Sequence, residues 1–376
     1  MPEARAAITA VFFAFALPIG LWAGAIPVLL RQSGSDGRQL GIALTLHTAA
    51  YIGAMAAGGQ LARRIAPRRL VLAALGLVAL AFPLLYAAGS PLMLTLALIG
   101  TGASGGLLDL AMNTEGTAIE RRLGRPILLS MHAAASLAFA LGAFGGSLVA
   151  TQAGPLWLVL PVWAVFAPVV WWLVRLPPAP EPAPLTAAAR PRRVERGRGV
   201  GLIGLLLGLC IGAEIAAQMW SATFLERQAR ELAAFAGAGA AFFAGCQALT
   251  RLVGDRLRHA FGDRRVITGS LLIGVAGYAL VAGVPGFMAG VLGFALVGFG
   301  TACVVPCCFA LLARDPERAS AALGSASLVA GLIRLPTPLY LGFVAAAWGE
   351  EAAFAGIAAG LAAGAVLAQR GLRALD

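Results

Sequence analysis

Apolar runs of about twenty residues, each closed by charged or turn-forming residues, recur along the whole chain. They fall near residues 6–30, 40–62, 70–89, 91–114, 126–150 and 155–175, and again near 200–224, 233–253, 266–285, 286–313, 320–347 and 351–369. About 20 consecutive apolar residues cross a bilayer as a helix, so the pattern predicts six spans, a polar linker and six more. Gly89 with Pro91, and Pro285 with Gly286, mark the turns within the two most crowded pairs of runs. The predicted fold class is an all-α membrane protein with twelve transmembrane helices in two pseudo-symmetric six-helix bundles. Residues 1–175 form the first bundle, 176–199 the linker and 200–376 the second bundle.

Composition supports this reading. Of 376 residues, 60% are hydrophobic and 12% charged, against about a quarter charged in a soluble domain. Twelve spans of roughly 22 residues leave room only for short loops. The stretch from Ala6 to Leu30 is too long for the apolar core of a signal peptide, so a retained first span is expected. Five cysteines, Cys210, Cys246, Cys303, Cys307 and Cys308, fall inside apolar runs and read as small buried hydrophobes.

The net charge of +11 rests entirely on arginine, as the chain has no lysine. These arginines alternate in side. Arg5, the group Arg63, Arg64, Arg68 and Arg69, the group Arg121, Arg122 and Arg125, and the linker arginines share one side with Arg251, Arg256, Arg258, Arg264, Arg265, Arg314, Arg318, Arg370 and Arg373. The other side holds Arg31, Arg38, Arg227 and Arg230. Cytoplasmic loops carry the positive excess, which predicts cytoplasmic termini and a cytoplasmic linker. The linker, Pro/Ala-rich then Arg-rich, lacks the apolar residues to build a core and reads as a tether.

Short matches relate the halves. Gly58-Gly59-Gln60 resembles Gly245-Cys246-Gln247, each read as the cytoplasmic end of a second span. Gly100-x-Gly102 pairs with Gly298-x-Gly300, and Ala135-Ser136-Leu137 with Ala326-Ser327-Leu328. Their common order supports duplication, a usual construction for secondary transporters.

Ionisable residues inside a span are costly, which makes each a functional candidate. Asp109 lies among close-packing glycines, with Asn113 one turn on. The pair would line a cavity or bond a neighbouring helix. Glu214 and Gln218 are likewise one turn apart, with Trp220 following. Glu214 reads as a proton exchanger or an interhelix hydrogen-bond acceptor, and Trp220 as a site or interfacial residue. Arg334, the one permanent charge placed within a span, precedes Pro336 and Pro338, which should break its helix. It needs a counter-ion: Asp109, Glu214 or an anionic substrate. His132 is a candidate proton shuttle, whereas His47 reads as a helix–helix hydrogen bond.

There is no phosphate-binding loop, no zinc-protease motif and no nucleophile elbow. The chain therefore reads as a non-enzyme with no cofactor and no metal site, and any uphill transport must draw on an ion gradient.

The loop after the second span, Gly59-Gln60-Leu61-Ala62-Arg63-Arg64-Ile65-Ala66-Pro67-Arg68-Arg69, resembles the signature of the major facilitator superfamily (MFS), with Arg63 in place of its Asp. A second copy retains Gly254-Asp255-Arg256. Asp109-x-x-x-Asn113, Glu120, His132, Ser136, the Glu214-to-Trp220 pattern, and Trp22 with Ile26-Pro27 are similar to the fucose-permease-like branch and the YbjJ-like inner-membrane proteins grouped with it. Met219 and Ala23 stand where acidic residues often occur in that branch.

The resemblance implies two six-helix bundles around a central cavity, and a secondary transporter of a small polar solute, sugar-like or nucleoside-like, working by alternating access in a bacterial inner membrane. Efflux of a metabolite or drug by proton antiport, or a transporter-like sensor that moves nothing, are the alternatives. Asp109, Asn113, Glu214, Gln218, Trp220, Arg334, His132 and Trp22 are the expected substrate and coupling residues. Gly59, Arg63, Arg64, Arg68, Arg69, Asp255 and Arg256 are the expected cytoplasmic gate. A small-molecule solute, protons and membrane lipid are the expected partners of a monomer, with no nucleic acid.

Overall fold

The computed structural model describes residues 2–62, 64–124, 127–176, 198–313 and 319–372. Arg63 and most of the Pro/Arg-rich linker lie outside the described residues.

The first half runs α1 (Pro2–Ser33), α2 (Gly37–Leu61), α3 (Pro67–Tyr86), α4 (Pro91–Leu123), α5 (Leu128–Ala153) and, after a 3₁₀ turn at Pro155–Leu158, α6 (Val159–Arg175). The second runs α7 (Arg198–Gln228), a 3₁₀ segment at Arg230–Phe235, α8 (Ala238–Phe261), α9 (Asp263–Gly283), α10 (Phe287–Thr301), α11 (Val304–Leu312), α12 (Ala319–Arg334), α13 (Thr337–Trp348) and α14 (Glu350–Gly371). Among the described residues, 12 segments are long and apolar enough to cross a membrane. By backbone contacts the chain divides into two compact units, Met1–Ala187 with Glu231–Gly237, and Ala188–Arg230 with Ala238–Asp376.

Local chemistry sets several helix ends. Asp36 caps α2 reciprocally with Gln39: the Asp36 carboxylate accepts from the Gln39 N–H (2.8 Å) and the Gln39 side chain from the Asp36 N–H (2.9 Å). Ser90 caps α4 ahead of Pro91, and the helix stops at Gly124, whose φ of 63° suits glycine. Two boundaries differ from the pattern along the chain. α4 continues past residue 114 to Leu123, and α8 continues past 253 to Phe261, because a few polar residues do not stop a helix that lacks a breaker. Arg251 therefore lies inside a spanning segment instead of a loop, about 15 Å from the end of α8. Arg334 is thus not the one permanent charge within a span.

The eleventh span breaks between Arg334 and Thr337, as Pro336 and Pro338 predict. The tenth also breaks, between Thr301 and Val304. Pro306 cannot donate to the carbonyl of Ala302, four residues earlier.

Close helix contacts organise each unit. In the first, a Cβ added at Gly102 would overlap the His47 carbonyl oxygen, and one at Gly106 that of Tyr51, so α2 and α4 touch backbone to backbone. In the second, Gly298 meets the Phe243 carbonyl between α10 and α8 in the same way. An aromatic cluster fills the second unit: Tyr278 stacks on Phe354 at 5.6 Å, and Phe294 meets Phe354 edge-on at 5.5 Å.

Candidate functional site

A carboxylate within a spanning helix anchors a polar site in each unit, Asp109 in the first and Glu214 in the second. In the first, Asp109 projects from α4 beside the glycines that draw α2 close, which brings Tyr51 within reach. The Tyr51 hydroxyl donates to Asp109 Oδ2 at 2.7 Å. Asn113 Nδ2 donates to Asp109 Oδ1 at 2.8 Å and to the Asp109 carbonyl at 2.9 Å, so the one-turn spacing places the amide where the sequence put it.

An aromatic series continues from Tyr51. The Tyr51 ring lies 6.3 Å from His47, one turn back on α2, and His47 lies 5.2 Å from Trp22 on α1. His47 Nδ1 is 3.0 Å from the Leu98 carbonyl oxygen. A carbonyl only accepts, so Nδ1 carries the proton. This is the helix–helix hydrogen bond expected for His47.

In the second unit Glu214, on α7, accepts from Gln247 Nε2 of α8 at 2.7 Å. The same amide nitrogen is 3.3 Å from Thr301 Oγ1, at the end of α10 where the span breaks. The Cys210 thiol faces the Thr301 carbonyl at 3.6 Å. Arg251, one turn beyond Gln247, acts electrostatically on Glu214.

Tyr51 and Gln247 carry no charge and are absent from the sequence-derived candidates, yet they occupy matching places. Gly102 abuts His47 as Gly298 abuts Phe243, and Gly58 faces Leu107 as Gly254 faces Cys303. Each pairing implies an offset of 196 residues (47 to 243, 102 to 298, 58 to 254), which sets Tyr51 opposite Gln247. The match of Gly58-Gly59-Gln60 to Gly245-Cys246-Gln247 does not follow this register. Gln60 is exposed near the end of α2, while Gln247 is buried in the middle of α8.

The remaining candidates scatter. Trp22 and Trp220 are each only 2% exposed, so Trp220 is a packed side chain and not an interfacial belt residue. Gln218 is half-buried on α7. His132 is exposed on α5, with its ring edge-on to Phe12 at 5.0 Å. Glu120 caps α5, its Oε2 accepting from the Ile127 and Leu128 N–H groups at 2.7 and 2.9 Å. Ser136 Oγ donates to the His132 carbonyl. Arg334 ends α12, and its Nε is buried with no hydrogen-bond partner. Glu214, the counter-ion candidate in its own unit, accepts from Gln247 instead.

A family model, "Major Facilitator Superfamily", matches residues 8–338. The chain belongs to the Major Facilitator Superfamily. An uncharacterised MFS-type transporter of Yersinia pestis is 30% identical over 346 residues, covering 89% of this chain and 87% of that protein. Membrane protein MosC of Rhizobium meliloti is 25% identical over 354 residues, covering 91% and 82%. The nucleoside transporter NupG superposes with a TM-score of 0.74 at 15% identity over 99% of this chain and 98% of its own. A variant of the E. coli fucose:proton symporter FucP gives 0.61 at 18%, over 97% of each chain. At such identities these structures attest the MFS fold alone. With twelve apolar helices, MFS membership makes the chain an integral membrane transporter with a small-molecule substrate.

The MFS signature loops differ between the halves. In the last turns of α8, Arg258 Nε pairs with Asp263 Oδ1, at the start of α9, at 2.8 Å, and Arg258 Nη1 with Asp255 at 3.5 Å. Arg258 thus ties the end of α8 to the start of α9, two residues after Arg256 of the motif. Gly59, Arg64 and Arg69 are exposed around the first loop.

Proposed function

We propose that this transporter is proton-coupled and moves a small polar solute, sugar-like or nucleoside-like, across a bacterial inner membrane by alternating access, as a monomer. One observation carries the reading: Asp109 and Glu214, carboxylates within two spanning helices, are each held by a group able to donate or accept. A phenol hydroxyl donates to a carboxylate and accepts from a carboxylic acid, and a primary amide does the same by turning over. Asp109 with Tyr51, and Glu214 with Gln247, can therefore stay hydrogen-bonded in either protonation state, as a proton carrier in a low-dielectric span must. Asp109 is the main carrier, and Asn113, Gln218 and His132 supply polar contacts to solute. The arginine-rich loops, including Gly59 and Asp255 with Arg258, form the cytoplasmic gate, with both termini on that side. Cysteines placed at residues 190–198 would then react only with reagents that enter the cytoplasm.

A second reading takes an organic anion as solute. The unpartnered Nε of Arg334 favours it, since a permanent guanidinium within a span calls for a negative partner.

The test is uptake into proteoliposomes under an imposed pH gradient, with sugars, nucleosides and organic anions. Accumulation that an uncoupler abolishes supports the proposal. A ligand that stabilises the protein yet shows no counterflow would make the chain a sensor.

A further inference from the structure

The first unit carries an apolar groove beside the arginine-rich loop after α2. It runs between α2 and α3, over the face of α4, and is open, with a volume of about 470 Å³. Gly100 and Ser104 of α4 form its floor, Gly58 and Leu61 of α2 one wall, and Leu77 and Leu84 of α3 the other. Leu77 and Leu84 are 48% and 65% exposed, so the groove opens sideways from a spanning region.

One end of this groove is strongly basic. The chain turns directly after Leu61, whose carbonyl accepts from the Arg64 and Ile65 N–H groups at 2.9 Å each. Arg64 therefore sits within a turn of the groove's end, and Arg68 and Arg69 open α3 beside it. Glu115 of α4 is an acidic group near this end, with Arg122 and Arg68 both acting on it. Arg64 and Arg69 are exposed, and no acidic residue lies between Leu61 and Leu70. The loop after α8 differs, because Asp255 and Asp263 neutralise Arg258 there.

We infer that this groove binds an anionic glycerophospholipid, with one acyl chain along α4 and the phosphate-bearing headgroup at Arg64 and Arg69. Leu77 lies about 12 Å along α3 from Arg69 and Leu84 about 22 Å, so the α3 wall begins near the roughly 15 Å depth of one leaflet and continues past it, where the far part of an acyl chain would lie. Small residues on the floor let methylene groups approach the helix backbone, and the arginines supply the headgroup preference that an apolar groove alone lacks.

Delipidated full-length protein in neutral detergent would be titrated with phosphatidylglycerol, phosphatidylcholine of the same acyl chains, and glycerol phosphate, following thermal unfolding. Phosphatidylglycerol should raise the midpoint well above phosphatidylcholine, and glycerol phosphate should do little. Arg64→Ala with Arg69→Ala should weaken phosphatidylglycerol about thirtyfold, at the usual strength of two surface arginines against an anionic lipid. Gly100→Leu should weaken both lipids, since a Cβ at Gly100 meets nothing within 4 Å and the added side chain fills the groove without displacing a helix. Equal response to the two lipids in wild type, a full response to glycerol phosphate, or unchanged phosphatidylglycerol binding in both variants would each overturn the inference.

Discussion

Tyr51 and Gln247 occupy corresponding positions in the two units, 196 residues apart by the helix contacts around them, and each donates to an intramembrane carboxylate. The acceptors do not correspond. Tyr51 reaches Asp109 on the fourth helix of its unit, whereas Gln247 reaches Glu214 on the first helix of its own. A duplicated donor position has thus been paired with a different acid in each half, which leaves room for the two acids to differ in role.

Removing one hydroxyl tests the first pair. Tyr51→Phe keeps the ring beside His47 and deletes the donor to Asp109, an interaction worth about 1.5–3 kcal/mol for a charged acceptor. Proton-driven uptake should fall roughly ten- to a hundredfold, with the folded protein recovered in normal yield. Uptake at the wild-type rate would show that Asp109 needs no such donor.

The second pair is expected to matter more for stability. Gln247→Ala leaves both Glu214 and Thr301 without the amide that joins them, which should lower stability by about 1–3 kcal/mol, read as a lower unfolding midpoint in detergent. Glu214→Gln in the same background should recover part of that loss, because a neutral amide tolerates the missing donor better than a carboxylate. No recovery in the double variant would separate the two residues energetically.

Helix contact predicts opposite outcomes for two glycines separated by one residue in the pattern Gly100-x-Gly102. Gly100→Ala meets open space and should be neutral or stabilising by up to about 1 kcal/mol. Gly102→Ala drives a methyl group into the His47 carbonyl and should cost about 1–3 kcal/mol. Thermal unfolding of the two variants side by side distinguishes them, and equal midpoints would mean that α2 and α4 do not touch there.

Much of the fold is legible in the sequence because apolar length is dictated by the bilayer, and the loops are punctuated by Arg, Pro and Gly. Pro336 and Pro338 announce the break after Arg334. The ends of α4 and α8 are less legible, since Glu115 and Arg251 look like loop residues until the absence of a helix breaker is weighed. The break after Thr301 hides inside one continuous apolar run, where Pro306 is its local sign. Asp109, Asn113 and Glu214 stand out by charge and spacing. Tyr51, Gln247 and Thr301 do not, because a neutral polar residue gives no signal until a partner on another helix is known.

Arg334 distinguishes the two solute classes. If an organic anion is carried, Arg334→Lys should weaken its binding about tenfold or more, since an ammonium cannot reproduce the guanidinium fork, while binding of a neutral sugar or nucleoside should be little changed. Direct binding measurements on both variants and both solute classes decide this. Equal loss for neutral and anionic solutes would assign Arg334 a structural role.

Asp109→Asn carries the central claim into a single comparison. In proteoliposomes loaded with solute, the variant should exchange internal for external solute at a rate near wild type, while uphill accumulation driven by a pH gradient disappears. Accumulation against the gradient by Asp109→Asn would contradict the account, because the proton would then be travelling on some other group.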